Sequence, residues 1–221
     1  MLFLVCGCSK NSDELVMVTE AGFAPYEYYR DGEIVGVDVD IAKEIAKELG
    51  KKLVIKDIAF DSIVNEVKTG KADFGAAGIS YSPERAENVD FSNDYSVSRQ
   101  VAVVSEIKNK KIAVQLGSIG DTYVSEHFKE ADVVRQKKYL SAAEDLKASK
   151  VDAIVMDELP AKQIVLNNTG LVILDEEITS DSYGMIVKKG NKDLLLAINK
   201  VIDRLKSEGK IDEYVLNHTE E

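Results

Sequence analysis

Apolar residues fall along the chain in two alternating rhythms. Leu15-Val-Met-Val-Thr19 is a short run of strand type, and Gly22 and Pro25 then force a loop. Asp31-Gly32 marks a tight turn. From Asp38 to Leu49 the residues Ile41, Ala42, Ile45, Ala46 and Leu49 share one helical face, and Gly50 supplies the stop. Leu53–Ile55 reads as a strand, Asp61–Lys68 as a helix ended by Gly70, and Ala72–Ala77 as another strand. This β-α-β-α order predicts a parallel sheet flanked by helices.

The rhythm returns in the second half. Ile112–Val114 is a strand, and Gly117-Ser-Ile-Gly120 is a turn into a helix from about Asp121. Ser141-Ala-Ala-Glu144 has the form of a capping box opening another helix. Val151–Met156 is a strand, Pro160 sits in the first turn of a helix reaching Leu166, and Leu171–Leu174 is a further strand. Leu195, Ile198, Ile202 and Leu205 mark a long amphipathic helix near the C-terminus. Residues 65–78 also align with residues 144–157, sharing Lys68/Lys147, Lys71/Lys150 and Asp73/Asp152. Chance likeness of two helix-turn-strand units competes with a true repeat. A true repeat means two similar α/β lobes, with Gly78 and Asp157 at equivalent strand ends facing a cleft, where open α/β sheets bind ligands.

Composition narrows the function. The 221 residues allow one large domain or two small ones, and each small lobe is big enough to bury a core without disulfides. The 28 Lys and Arg against 39 Asp and Glu leave a net charge of −11. That balance counts against a nucleic-acid partner, which needs a basic surface. No apolar run is long enough to span a bilayer. Both cysteines, Cys6 and Cys8, lie in the first eight residues, so no disulfide framework exists; with His127 and His218 isolated, no metal site is expected. Apolar residues leading into Val5-Cys-Gly-Cys8 resemble a bacterial lipobox, with Cys8 as the lipid-carrying first residue of the mature protein. The charged start of a signal is missing, so the sequence is expected to begin inside a longer one. Residues 1–12 are then residual signal and tether.

Catalytic motifs are weak: there is no GxSxG, HExxH, Walker or GxGxxG pattern. Gly117-Ser118-Ile119-Gly120 is either a plain N-cap turn or an anion site made of backbone N–H groups at a helix start. His127 reads as a partly buried surface residue and His218 as part of a fraying tail.

The segment Ala77-Gly78-Ile79-Ser80-Tyr81-Ser82-Pro83-Glu84-Arg85, followed by Val89-Asp-Phe-Ser92, strongly resembles the extracellular amino-acid-binding proteins of ABC importers, solute-binding protein family 3. Phe23-Ala-Pro-Tyr26, Gly36-Val-Asp-Val-Asp40 and Asp152-Ala-Ile-Val-Met-Asp157 extend the likeness in order over about 200 residues, with Val37 where an aromatic is usual. The resemblance implies an α/β type II periplasmic-binding-protein fold of two similar lobes joined by a two-strand hinge. Lobe one is expected at 13–102 plus 185–221 and lobe two at 103–184, with crossings near Arg99–Ser105 and Tyr183–Lys188.

It also implies a site. Arg85 would grip an α-carboxylate through a bidentate fork, unless it merely pairs with Glu84 or Glu87 on the surface. Backbone N–H groups near Ser118 and Ile119 would assist, although Ile119 replaces the family's usual Thr. Asp157, the carbonyl of Gly78 beside Ala77, and the Ser80 hydroxyl would take the α-ammonium; Asp157 could instead cap the following helix. Phe23 and Phe60 would sandwich the ligand side chain or belong to the core. Glu20, with Gln115, would face its far end and favour arginine, lysine, ornithine or glutamine over acidic side chains. No cofactor is implied. The expected partners are an amino acid, the permease subunits of an ABC importer and, through the lipid on Cys8, the outer face of the cell membrane; the protein is expected to act as a monomer. The enzymatic rival is a cyclohexadienyl or arogenate dehydratase on the same fold, for which Glu20 is the one candidate acid. A receptor sensory domain is the third reading and requires a fused segment.

Overall fold

The computed structural model describes residues 13–104, 111–174 and 178–219. Strand β1 (Glu14–Thr19) is followed by a small antiparallel sheet of β2 (Gly22–Phe23), β3 (Glu27–Arg30) and β4 (Glu33–Val35). Next come helix α1 (Val37–Glu48), β5 (Lys52–Asp57), α2 (Ile63–Lys68), β6 (Phe74–Gly75), α3 (Pro83–Ala86) and β7 (Val89–Phe91). The second half runs β8 (Ser96–Val104), β9 (Lys111–Gln115), α4 (Ile119–His127), β10 (Asp132–Gln136), α5 (Tyr139–Lys147), β11 (Ala153–Asp157) and α6 (Glu158–Leu166). It closes with β12 (Val172–Ile173), β13 (Thr179–Tyr183), β14 (Ile186–Lys188), α7 (Lys192–Ser207) and α8 (Lys210–Thr219).

Two larger sheets organise these elements. In the first the order is β5-β1-β6-β14-β7, with β1, β5 and β6 parallel and β14 antiparallel to both neighbours. The second has the order β10-β9-β11-β8-β12, where β9, β10 and β11 are parallel and β8 is antiparallel to β11, β12 and β13. Each sheet thus pairs a parallel βαβ core with one antiparallel strand. The consecutive burial of Leu15 to Val18 shows why that stretch reads as an unbroken apolar run: both faces of β1 are covered.

Helix α1 buries Ile41, Ala42, Ile45 and Ala46, and α7 buries Ile198, Val201, Ile202 and Leu205. The two pack together, with Arg204 on Glu44 at 2.8 Å. Several local expectations are corrected. Helix α4 starts at Ile119, with Ser118 Oγ accepting from the Asp121 N–H at 3.1 Å. Helix α5 starts at Tyr139, so Ser141 lies inside the first turn and no capping box forms. The chain passes between the two sheets at 92–95 and again at 184–185; the stretch expected to cross, 99–105, instead lies in β8 as far as it is described. His218 does not fray: it sits in α8, its Nε2 2.9 Å from Asp40 and its Nδ1 3.1 Å from the Tyr28 hydroxyl. His127 is exposed, stacked on Tyr123. Cys6, Cys8 and the lipobox lie outside the described residues.

Candidate functional site

One cavity lies where the two sheets meet, at the C-terminal ends of β1, β9 and β11 and the turns that follow β6. Its walls are Glu20, Phe23, Glu27, Phe60, Ala77, Gly78, Ser80, Arg85, Gln100, Gln115, Ser118, Ile119, Tyr139 and Asp157. The structure therefore brings all eleven residues singled out from the sequence to one place. It adds Glu27, Gln100 and Tyr139, which sequence reasoning missed. Glu27 reads as one more loop carboxylate, Gln100 lies in the stretch taken for a crossing, and Tyr139 stands ahead of the expected helix start.

Local structure explains each position. Ser82 accepts from the Arg85 N–H as the N-cap of α3, with Pro83 in the first turn. This fixes the base of the Arg85 side chain. Its guanidinium donates to the Ser80 carbonyl at 2.6 Å and, across the cleft, to the Gly117 carbonyl at 2.8 Å, and lies 5.4 Å from the centre of the Phe60 ring. Neither Glu84 nor Glu87 holds it. The Ser118 N–H donates to the Gln115 carbonyl at 3.1 Å, so it belongs to the turn and is not a free donor; the N–H of Ile119, the first residue of α4, is the nearest one left for an anion.

Gly78 has φ +53, and a Cβ there would meet the Phe23 ring at 2.6 Å. Only glycine lets the backbone pass this close. The Gly78 N–H donates to Asp38 at 3.1 Å, which turns the peptide towards the cavity. Asp157 occupies the N-cap position of α6 but makes no capping bond; its Oδ1 accepts from the Tyr183 hydroxyl instead. Phe23 stacks on Tyr139, with ring centres 5.7 Å apart.

Burial sets the electrostatics. Glu20 is 1% exposed, and desolvation raises it above the usual carboxylate range despite the opposing contacts from Lys138 and Gln115. Burial likewise raises Asp157, with the Tyr183 hydroxyl acting against it. Glu27 stands well above its ordinary range, through burial first and then the neighbouring charge of Asp38. Asp38 is pushed up to about 6 by burial, against the Gly78 N–H and the Tyr95 hydroxyl. Burial lowers Arg85 from its ordinary value. The walls thus hold one cation and several costly carboxylates, an arrangement that favours a ligand with one anionic group and more than one cluster of N–H donors. Among the described residues no group of three or more His, Cys, Asp or Glu is placed to hold a metal ion.

Two α/β lobes with these strand orders around a polar cavity define a two-lobed solute-binding protein of type II architecture. The chain belongs to the bacterial extracellular solute-binding proteins, family 3, whose sequence model matches residues 15–220. It is 31% identical to a probable histidine-binding protein of Campylobacter jejuni, over 89% of this chain and 81% of that one. An ArgBP mutant from T. maritima superposes with a TM-score of 0.89 at 37% identity, covering 95% of this chain and 96% of that one. An amino acid ABC transporter substrate-binding protein, AbpA from Streptococcus pneumoniae, bound to L-arginine, superposes with a TM-score of 0.89 at 34% identity, covering 93% and 94%. These relatives are binding proteins rather than enzymes. Among the described residues no helix is long and apolar enough to cross a membrane.

Proposed function

We propose that this protein captures a cationic or amide amino acid, L-arginine first among them, and delivers it to the permease of an ABC importer. The observation that carries this reading is the charge pattern of the cavity wall. Arg85 answers the α-carboxylate and Asp157 the α-ammonium, with the Gly78 carbonyl and the Ser80 hydroxyl beside it. Glu20 and Glu27 are then the carboxyl groups in excess, and at Glu20 a guanidinium with five N–H donors suits the wall better than a neutral or acidic end group. The arginine bound in the similar S. pneumoniae protein supports the same choice.

Residues 92–95 and 184–185 act as the hinge, and ligand contacts from both lobes favour the closed state by their differential affinity. A monomer suffices for this mechanism, and no covalent bond is made or broken. A thermal-shift screen of the amino acids tests the reading: arginine is expected to raise the melting temperature most, and no shift with any amino acid would overturn it. In the same assay Glu20→Gln is expected to weaken arginine at least about tenfold more than glutamine, the worth of one buried charged hydrogen bond. Equal losses would remove Glu20 from the choice of ligand.

The lipid anchor belongs to the same reading. It rests on Val5-Cys-Gly-Cys8 and places the protein on the outer face of the cell membrane. Cys8→Ala in the native host is expected to move the protein from the membrane fraction to the soluble one. Unchanged retention would count against Cys8.

A further inference from the structure

Glu20 is not free to meet a ligand on its own terms. Its Oε1 lies 3.1 Å from Lys138 Nζ, and its Oε2 accepts from Gln115 Nε2 at 3.1 Å. Lys138 also reaches Asp57 Oδ2 at 3.2 Å. Asp57 ends β5 and Glu20 directly follows the neighbouring strand β1 of the first sheet, whereas Gln115 ends β9 and Lys138 is the N-cap of α5 in the second lobe. Lys138 therefore joins the lobes at the side-chain end of the cavity without lining it. Its side chain is 37% exposed and Glu20 is 1% exposed, so the ammonium approaches the buried carboxylate from the solvent side. Asp57 is held in turn, its Oδ1 accepting from the Ala21 N–H at 2.9 Å.

A carboxylate paired with an ammonium attracts a second cation less than a bare one does. For a guanidinium to use Glu20 in full, Lys138 must be drawn away, and Asp57 is the counter-ion that can retain it at the rim. A neutral amide or imidazole needs no such exchange, because it can share a carboxylate that has lone pairs to spare. We propose that Lys138 is a specificity-determining residue: it competes with the ligand for Glu20 and so sets how strongly the pocket prefers a cationic over a neutral side chain. This rests on the amino-acid-binding reading given above.

The two neighbours act in opposite directions. Removing the ammonium leaves Glu20 uncompensated and strengthens cation binding. Removing the charge of Asp57 releases Lys138 to Glu20 alone and weakens it. Calorimetric titration of L-arginine and L-glutamine into the wild type, Lys138→Met and Asp57→Asn tests this. Methionine keeps an unbranched stem, and asparagine keeps an oxygen for the Ala21 N–H. The arginine-to-glutamine affinity ratio is expected to rise about fivefold or more in Lys138→Met, the low end of coupling between interacting groups and appropriate to a part-exposed cation. It is expected to fall in Asp57→Asn. An unchanged or lowered ratio in Lys138→Met overturns the role of Lys138 while leaving the binding reading intact. A wild type that binds neither amino acid overturns the binding reading, and the role of Lys138 with it.

Discussion

Arg85→Ala is expected to cost at least about a hundredfold in amino-acid affinity while leaving the protein folded. Truncating one partner of a desolvated charge pair typically costs 2–5 kcal/mol, because the other charge is left buried and unpaired, and about 2.7 kcal/mol corresponds to a hundredfold. The fold has less at stake. Arg85 side-chain bonds go to the Ser80 and Gly117 carbonyls, and the α3 cap is made by its main chain and Ser82. Stability is therefore expected to drop by about 1–3 kcal/mol, the worth of two such bonds. Arg85→Lys separates charge from geometry: it retains the positive charge but not the planar fork, and is expected to recover only part of the affinity. Calorimetry and circular dichroism on the same samples decide it. Near-wild-type affinity in Arg85→Ala would place the carboxylate elsewhere.

The largest effect on stability is expected at a residue that touches no ligand. Gly36 has φ 133 and ψ 177, a conformation essentially confined to glycine. A Cβ there would lie 2.1 Å from the Tyr26 carbonyl oxygen and 2.9 Å from the Glu27 nitrogen, both main chain and unable to yield cheaply. The close approach exists because the Val37 and Asp38 N–H groups donate to the Pro25 and Tyr26 carbonyls, pinning the start of α1 against the loop that carries Phe23 and Glu27. Gly36→Ala is expected to cost about 3–5 kcal/mol, from backbone strain together with the clash. At about 2–4 °C per kcal/mol for a chain of this size, the melting temperature falls by about 6–20 °C. Affinity should fall as well, since Asp38 orients Gly78 from the residue two positions on. A fall of less than about 2 °C would mean that the loop and α1 can separate freely.

The strongly periodic elements were legible in advance for a physical reason. Helices α1 and α7 each bury a continuous apolar stripe, and β1 is apolar on both faces, so local pattern and tertiary burial coincide. Elements whose partners are remote were not. Strand β8 reads as a Val-rich crossing until β11, β12 and β13 are seen to pair with it, and β13, Thr-Ser-Asp-Ser-Tyr, has almost no apolar content of its own. The capping box at Ser141 lost to a start at Tyr139, whose ring is buried against Phe23 from the other lobe. Packing outweighed a local cap.

The candidate site divides along the same line. By itself the sequence determined the chemistry that can be present: the Ala77–Arg85 and Gly36–Asp40 segments, Glu20, Gln115 and Asp157, and hence the family. Those residues are legible because they stand in, or in step with, segments that resemble the motifs of that family. Only the tertiary structure decided which of the many charged residues act together. Nothing in the sequence singles out Lys138 or Glu27. Placing Lys138 within 3.1 Å of Glu20 and Glu27 against Asp38 depends on how the two lobes meet and how the 23–27 loop folds onto α1. Electrostatic energy depends on distance and burial, and neither is written in the order of residues along a chain.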